Sequence, residues 1–214
     1  MLAIRIHEFG GPEVLKYEDA PEPQPGPGEI QIRVIAAGVN PMDWKVRQGG
    51  IKLPLPIIMG MDVAGVVDAL GQGVDAFQSG DSVYARVSLG QGGYAEHTVT
   101  NASQAALKLK SIGFVEAAAV PTAGLAAWQT LFDIAGLQKG QSVLIHGAAG
   151  GVGSFAVQFA KWKGARVIGT ASSANAEFLK SIGVDGYDWR GHVREILGCF
   201  EAGRIPRDNG CQHP

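Results

Sequence analysis

The chemistry most legible in this chain lies in Gly147-Ala148-Ala149-Gly150-Gly151-Val152-Gly153. Glycines at a strand-to-helix turn let the backbone approach a pyrophosphate, where unpaired N–H groups and the helix dipole favour an anion. The spacing is a GxxGxxG variant of the dinucleotide fingerprint and is weak alone; its setting strengthens it. An apolar run, Val143-Leu144-Ile145, leads in, and a second, Val167-Ile168, follows. Between them Phe155, Phe159 and Trp162 recur at helical spacing, with Val152 and Ala156 on nearby turns, and Gly164 suits the stop. The order strand, turn, helix, strand makes one βαβ unit that binds a dinucleotide or descends from one that did. The alternative is a glycine turn that serves only close packing of helix on strand.

The end of the second strand bears on which dinucleotide. Sites for NAD usually carry an acid there, about 20 residues past the glycines, to hold the ribose 2′-OH. This chain has Thr170-Ala171-Ser172-Ser173-Ala174-Asn175, and no acid before Glu177. A carboxylate would repel a 2′-phosphate, whereas hydroxyls and an amide can donate to one, so NADPH is favoured. Ser172 or Ser173 can equally cap a helix from Ala174 to Ser181, and no arginine sits beside the turn.

The 214 residues make one large or two ordinary domains, and 46% hydrophobic content suffices for a packed core. A net charge of −2 gives no electrostatic case for nucleic acid or an anionic membrane. No apolar run has the length of a membrane span, and MLAIRIHEFGG lacks the pattern of a secretory leader, so a cytoplasmic protein is expected. Cys199 and Cys211, the two cysteines, make no disulfide framework.

The first hundred residues differ from the rest. Short alternating runs cover 2–6, 30–34, 63–67, 83–87 and 94–99, separated by turn chemistry such as Pro25-Gly26-Pro27-Gly28 and Ser79-Gly80-Asp81. Many short strands argue a small barrel or sandwich. From Ser111 the period changes: one short helix is expected over 114–120, stopped at Pro121, and another over 122–132 with Leu125, Trp128 and Leu131. The expected domains are therefore 1–120, all β, and 121–190, α/β, with an atypical tail over 191–214.

Taken together these pieces resemble the medium-chain dehydrogenase/reductase superfamily, in its zinc-independent quinone oxidoreductase branch (zeta-crystallin-like). The matching text includes Gly38-Val39-Asn40-Pro41-Met42-Asp43-Trp44-Lys45, Gly60-Met61-Asp62-Val63-Ala64-Gly65, Gly92-Gly93-Tyr94-Ala95-Glu96 and Pro121-Thr122-Ala123-Gly124, besides the glycine turn. The resemblance implies a GroES-like β-barrel domain followed by a Rossmann domain, a doubly wound parallel sheet. Zinc members carry Cys where Asn40 stands and His-Glu where Met61-Asp62 stand. An amide and a thioether are poor zinc ligands, and no cysteine precedes Cys199, so no metal is expected. His7, His97 and His146 are isolated in sequence and read as structural or exposed.

The implied reaction is zinc-free hydride transfer from NADPH to a small quinone or α,β-unsaturated carbonyl, with the protein supplying position. By the same resemblance Asn40 and Lys45 lie near the nicotinamide ribose and phosphates, and Thr122 faces the cofactor at the domain junction. Gly147, Gly150, Gly151, Val152 and Gly153 cradle the pyrophosphate, and Ser172 lies at the adenosine ribose. Plainer readings stand beside these: Asn40 as a turn residue before Pro41, Lys45 as a solvated charge, Thr122 as a helix N-cap, Asp43 and Asp62 as turn and capping groups. No general acid is evident.

The pattern breaks near residue 184. Gly183-Val184-Asp185-Gly186-Tyr187-Asp188-Trp189-Arg190 is a compressed echo of the family's third strand. An amphipathic helix is expected around Val193, Ile196, Leu197 and Phe200, and then a polar, irregular tail. Only the adenosine-side half of the doubly wound sheet is expected, which leaves an unpaired edge, removes the family's dimer edge and puts the oligomeric state in doubt. Two readings follow: a reductase of this family, or a truncated, non-catalytic chain with at most adenosine-side binding.

Overall fold

The computed structural model describes residues 1–188, 205–207 and 210–212, with side chains through Gly186. It divides into two units, Met1–Thr122 and Ala123–Pro214.

The first unit is built on two antiparallel sheets. Strand β1 (Leu2–Ile6) lies between β2 (Lys16–Asp19) and β4 (Ile57–Ile58). The larger sheet has the order β7-β3-β5-β6-β8, from β3 (Glu29–Gly38), β5 (Asp62–Leu70), β6 (Ser82–Arg86), β7 (His97–Asn101) and β8 (Ala105–Leu107). Alternation puts Ile30, Ile32, Val63, Val67, Val83, Ala85 and Val87 into one buried cluster. A second cluster gathers Ile6, Val14, Val46, Ile57 and Met59. Segment 94–96 ties the sheets together. Ile4 N–H donates to the Tyr94 carbonyl at 2.8 Å, Glu96 N–H to Leu2 at 3.1 Å, and Val34 N–H to Glu96 at 2.8 Å. The expected barrel is thus two linked sheets rather than a closed ring. β4 has only two residues and follows Pro56, which has no N–H to extend a ladder.

Helices frame the end of this unit. α1 (Pro41–Arg47) was not expected; Pro41 at its first position and Asp43 in its first turn are the signals that announce it. α2 (Phe114–Ala118) packs Ala117 and Ala118 against Ala64 of β5. Pro121 does not merely end α2. It opens α3 (Pro121–Trp128), because a missing N–H costs nothing at a helix start. A π-helical stretch, Gln129–Ile134, continues it.

The second unit holds a parallel sheet of order β11-β10-β9, from β9 (Ser142–Ile145), β10 (Arg166–Thr170) and β11 (Gly186–Asp188). α4 (Gly151–Trp162) connects β9 to β10, and α5 (Ala176–Ser181) connects β10 to β11. The face α4 buries is Gly153, Ala156, Val157 and Ala160, not its aromatic residues. Small residues let the helix approach the sheet. The rings flank it instead: Trp128 lies edge-on to Phe159 at 5.6 Å and 6.0 Å from Trp162, which is 71% exposed. The tail is not wholly irregular, for β12 (Ile205–Arg207) and β13 (Gly210–Gln212) pair antiparallel. The helix expected around Val193–Phe200 lies outside the described residues.

Candidate functional site

In the second unit the glycine turn is formed by backbone bonds and one hydroxyl. Ala148 N–H donates to the Thr170 carbonyl at 2.9 Å, and Gly150 N–H donates to Gly147 at 2.8 Å. Thr170 Oγ1 accepts from Gly147 N–H at 3.2 Å and lies 3.1 Å from His146 Nδ1. Gly147 has φ +64°, a left-handed conformation open to glycine. A Cβ on Gly153 would sit 2.2 Å from the Gly147 carbonyl oxygen and 2.8 Å from Ala148 Cα, so only glycine lets α4 seat on the turn. A Cβ on Gly151 would meet nothing within 4 Å. Gly150 is the N-cap and no side chain caps the helix. The first-turn N–H groups of Gly151, Val152 and Gly153 have no partner within the helix. Open space in front of uncapped N–H groups at the carboxyl end of β9 suits an anion.

Past β10, Ser172 Oγ accepts from Asn175 Nδ2 at 2.9 Å and makes no backbone cap bond, although it precedes a short 3₁₀ turn, Ser173–Asn175. The helix start therefore falls at Ala176, two residues later than the sequence suggests. Glu177 is paired with Lys180 at 2.8 Å.

In the first unit two carboxylates organise the start of α1 and of α3. Asn40 N–H donates to Asp43 Oδ2 at 2.7 Å, and the Tyr94 hydroxyl donates to the same oxygen at 2.8 Å. Asn40 Nδ2 donates to Asp62 Oδ2 at 3.0 Å. Thr122 N–H donates to both Asp62 oxygens, at 3.2 and 3.1 Å, and its hydroxyl donates to Oδ1 at 2.6 Å. Asp62 is 1% exposed and Asp43 6%. Burial pushes the Asp43 carboxyl above its ordinary range, against the lowering effect of the Asn40 and Tyr94 bonds, and the charge of Asp62 adds to the rise. The Tyr94 phenol is held well above its ordinary range by burial and by donating to Asp43. Thr122 is not an N-cap: it lies inside the first turn of α3, and Asp62 satisfies its N–H. Asp43, Asp62 and Tyr94 are the members of this group that sequence reasoning did not place in a site. No local signal marks Tyr94, which is 51 residues from its partner.

Lys45 is exposed on α1, its Nζ 5.7 Å from the Trp44 ring centre. A groove of about 330 Å³ beside it is lined by Met42, Trp44, Lys45, Gln48, Gly50 and Ile51. The structure brings Asn40 and Thr122 together through Asp62; Lys45 is not bonded into that cluster. His7 contacts Glu18 at 2.6 Å, and His97 lies 3.5 Å from Asp68. Among the described residues no three His, Cys, Asp or Glu side chains are grouped to hold a metal ion, and no helix is long and apolar enough to cross a membrane.

Linked antiparallel sheets followed by a parallel βαβ unit with a glycine turn define a class, the dehydrogenases and reductases with a GroES-like domain. Residues 26–129 match the alcohol dehydrogenase GroES-like domain family. The chain is 40% identical over 196 residues to a chloroplast envelope quinone oxidoreductase homolog of Arabidopsis thaliana, covering 86% of this chain and 60% of that protein. The quinone oxidoreductase of Coxiella burnetii superposes with a TM-score of 0.82 at 39% identity, over 92% of this chain and 64% of that one. A mycobacterial protein solved with NADPH superposes with a TM-score of 0.83 at 34% identity, over 96% of this chain and 65% of that one. The chain belongs to the medium-chain dehydrogenase/reductase superfamily, in its quinone oxidoreductase branch. It spans 54–60% of the length of the quinone oxidoreductases it matches among curated relatives.

Proposed function

We propose that the chain is a cytoplasmic, NADPH-dependent reductase of small quinones or α,β-unsaturated carbonyls that works without zinc. The observation that carries this reading is the glycine turn. Gly147 in a left-handed conformation, an uncapped twelve-residue helix and open space at Gly151 together fit a pyrophosphate. Gly147, Gly150, Gly151, Val152 and Gly153 would hold it. Ser172 and its partner Asn175 would meet the adenosine ribose, where hydroxyl and amide donors suit a 2′-phosphate and the first acid after the turn, Glu177, is paired with Lys180. Asn40, Thr122 and Lys45 would serve the nicotinamide end. When bound, the dinucleotide supplies a hydride from its nicotinamide C4 to an electron-poor acceptor, and a proton from solvent completes the reduction.

The donor chemistry around Asn40 and Asp62 supports the zinc-free reading. Asn40 gives its amide N–H to Asp62, and Met61, 3% exposed, offers a thioether. Neither matches the thiolate and imidazole that catalytic zinc takes.

A second reading, dinucleotide binding without turnover, is favoured by the parallel sheet. Its order among the described residues, β11-β10-β9, is that of one mononucleotide half. Mixing the 214-residue chain with NADPH and 1,4-benzoquinone separates the two. Cofactor oxidation establishes the reductase. Binding of 2′,5′-ADP without oxidation establishes the second reading, and absence of both overturns each. Cell fractionation checks the cytoplasmic location.

A further inference from the structure

Asp62 is almost wholly buried, and every hydrogen bond its carboxylate makes is one it accepts: from Thr122 N–H, from the Thr122 hydroxyl and from Asn40 Nδ2. A carboxylate accepts and does not donate, so the Asn40 amide has one orientation here. Turned over, it would set its own oxygen against Asp62, two acceptors facing each other. The main chain of Asn40 is held as firmly, its N–H on Asp43 Oδ2, which Tyr94 also holds. With Nδ2 committed, the amide has only Oδ1 to offer a ligand. That oxygen carries two lone pairs, so even with one turned toward the start of α1 it keeps another.

We propose that Asp62 is a positioning residue that sets the polarity of Asn40, making this subsite a hydrogen-bond acceptor. It then takes a ligand hydroxyl or amide N–H, the chemistry of a nicotinamide riboside, and repels a phosphate. This rests on the dinucleotide reading above, and it alters the role expected for Asn40, which included the cofactor phosphates.

The test uses two separate probes on the full chain, followed by NMR titration: reduced nicotinamide mononucleotide (NMNH) and 2′,5′-ADP. Asp62→Asn lets the Asn40 amide turn over and present Nδ2, and is expected to weaken NMNH about tenfold while leaving 2′,5′-ADP unchanged. The double variant Asn40→Asp with Asp62→Asn restores an acceptor, since the amide placed at 62 donates to the carboxylate placed at 40 while still accepting from Thr122. It is expected to return NMNH affinity to within about threefold of the parent. A merely structural role predicts no such rescue. Unchanged NMNH binding in Asp62→Asn, no recovery in a folded double variant, or no NMNH binding by the parent chain would each overturn the proposal. If Asp62→Asn does not fold, Asn40→Leu decides: it leaves Asp62 on Thr122 and is expected to lose NMNH by the same factor, and unchanged binding sinks the idea. Failure of 2′,5′-ADP to bind the parent chain counts against the dinucleotide reading, and the NMNH series still decides Asp62.

Discussion

At the scale of single residues, steric room and charge can be varied independently at the glycine turn. Gly151 has space for a side chain and sits in the first turn of α4. Gly151→Asp places a carboxylate where the helix dipole favours it and is expected to stabilise the chain by about 0.5 kcal/mol. The same charge repels a phosphate, so 2′,5′-ADP should bind at least about tenfold more weakly. Thermal melting and calorimetric titration on one sample check both. Asp43 carries the pH dependence. Its folded carboxyl titrates above the ordinary range, so the stability it contributes is full below the ordinary aspartate pKa, about 3.9, and is lost as pH rises through the raised folded value. Asp43→Asn removes that titration. The stability of the parent chain relative to the variant should therefore fall as pH rises through this window, and urea unfolding at a series of pH values measures it.

At the scale of elements, α4 shows why glycine is required on one side of a helix and merely tolerated on the other. Gly153→Val drives its Cβ toward the Gly147 carbonyl and the Ala148 backbone, neither of which can move as a side-chain tip can. A loss of about 3 kcal/mol is expected, read as a lowered urea midpoint, in contrast to the gain at Gly151. The glycine pattern was visible in the sequence, as was the strand on each side of it. Which residues α4 buries was not legible. Phe155, Phe159 and Trp162 have helical spacing, yet Ala156, Val157 and Ala160 face the sheet, because the approach of helix to strand selects for small side chains. The start of α1 is signalled by Asn40-Pro41 and Asp43, but seven residues give too little hydrophobic periodicity to stand out. β4 is shorter still and pairs with β1 at a separation no local rule reports.

At the scale of the whole molecule, each unit has cores of its own. Val157 belongs to the cluster that includes Leu131, Ile145, Val167 and Leu179, whereas Val83 belongs with Ile30, Ile32 and Val63. Val157→Ala should cost on the order of 2 kcal/mol and speed amide exchange in the second unit, and Val83→Ala should do the same in the first. Hydrogen exchange resolved by peptide checks the assignment. The two classes of structure and their order, the glycine turn and the family are all legible in the chain before it folds. These rest on local periodicity, on backbone conformations only glycine adopts and on motifs that are contiguous in the chain. Long-range packing settles the rest: the sheets of the first unit do not close, Thr122 is held rather than capping, and Asp62 fixes the direction of the Asn40 amide. The last two outcomes depend on contacts between residues 22 and 60 positions apart, where a hydrogen-bond partner is chosen by the fold and leaves no trace in the neighbouring sequence.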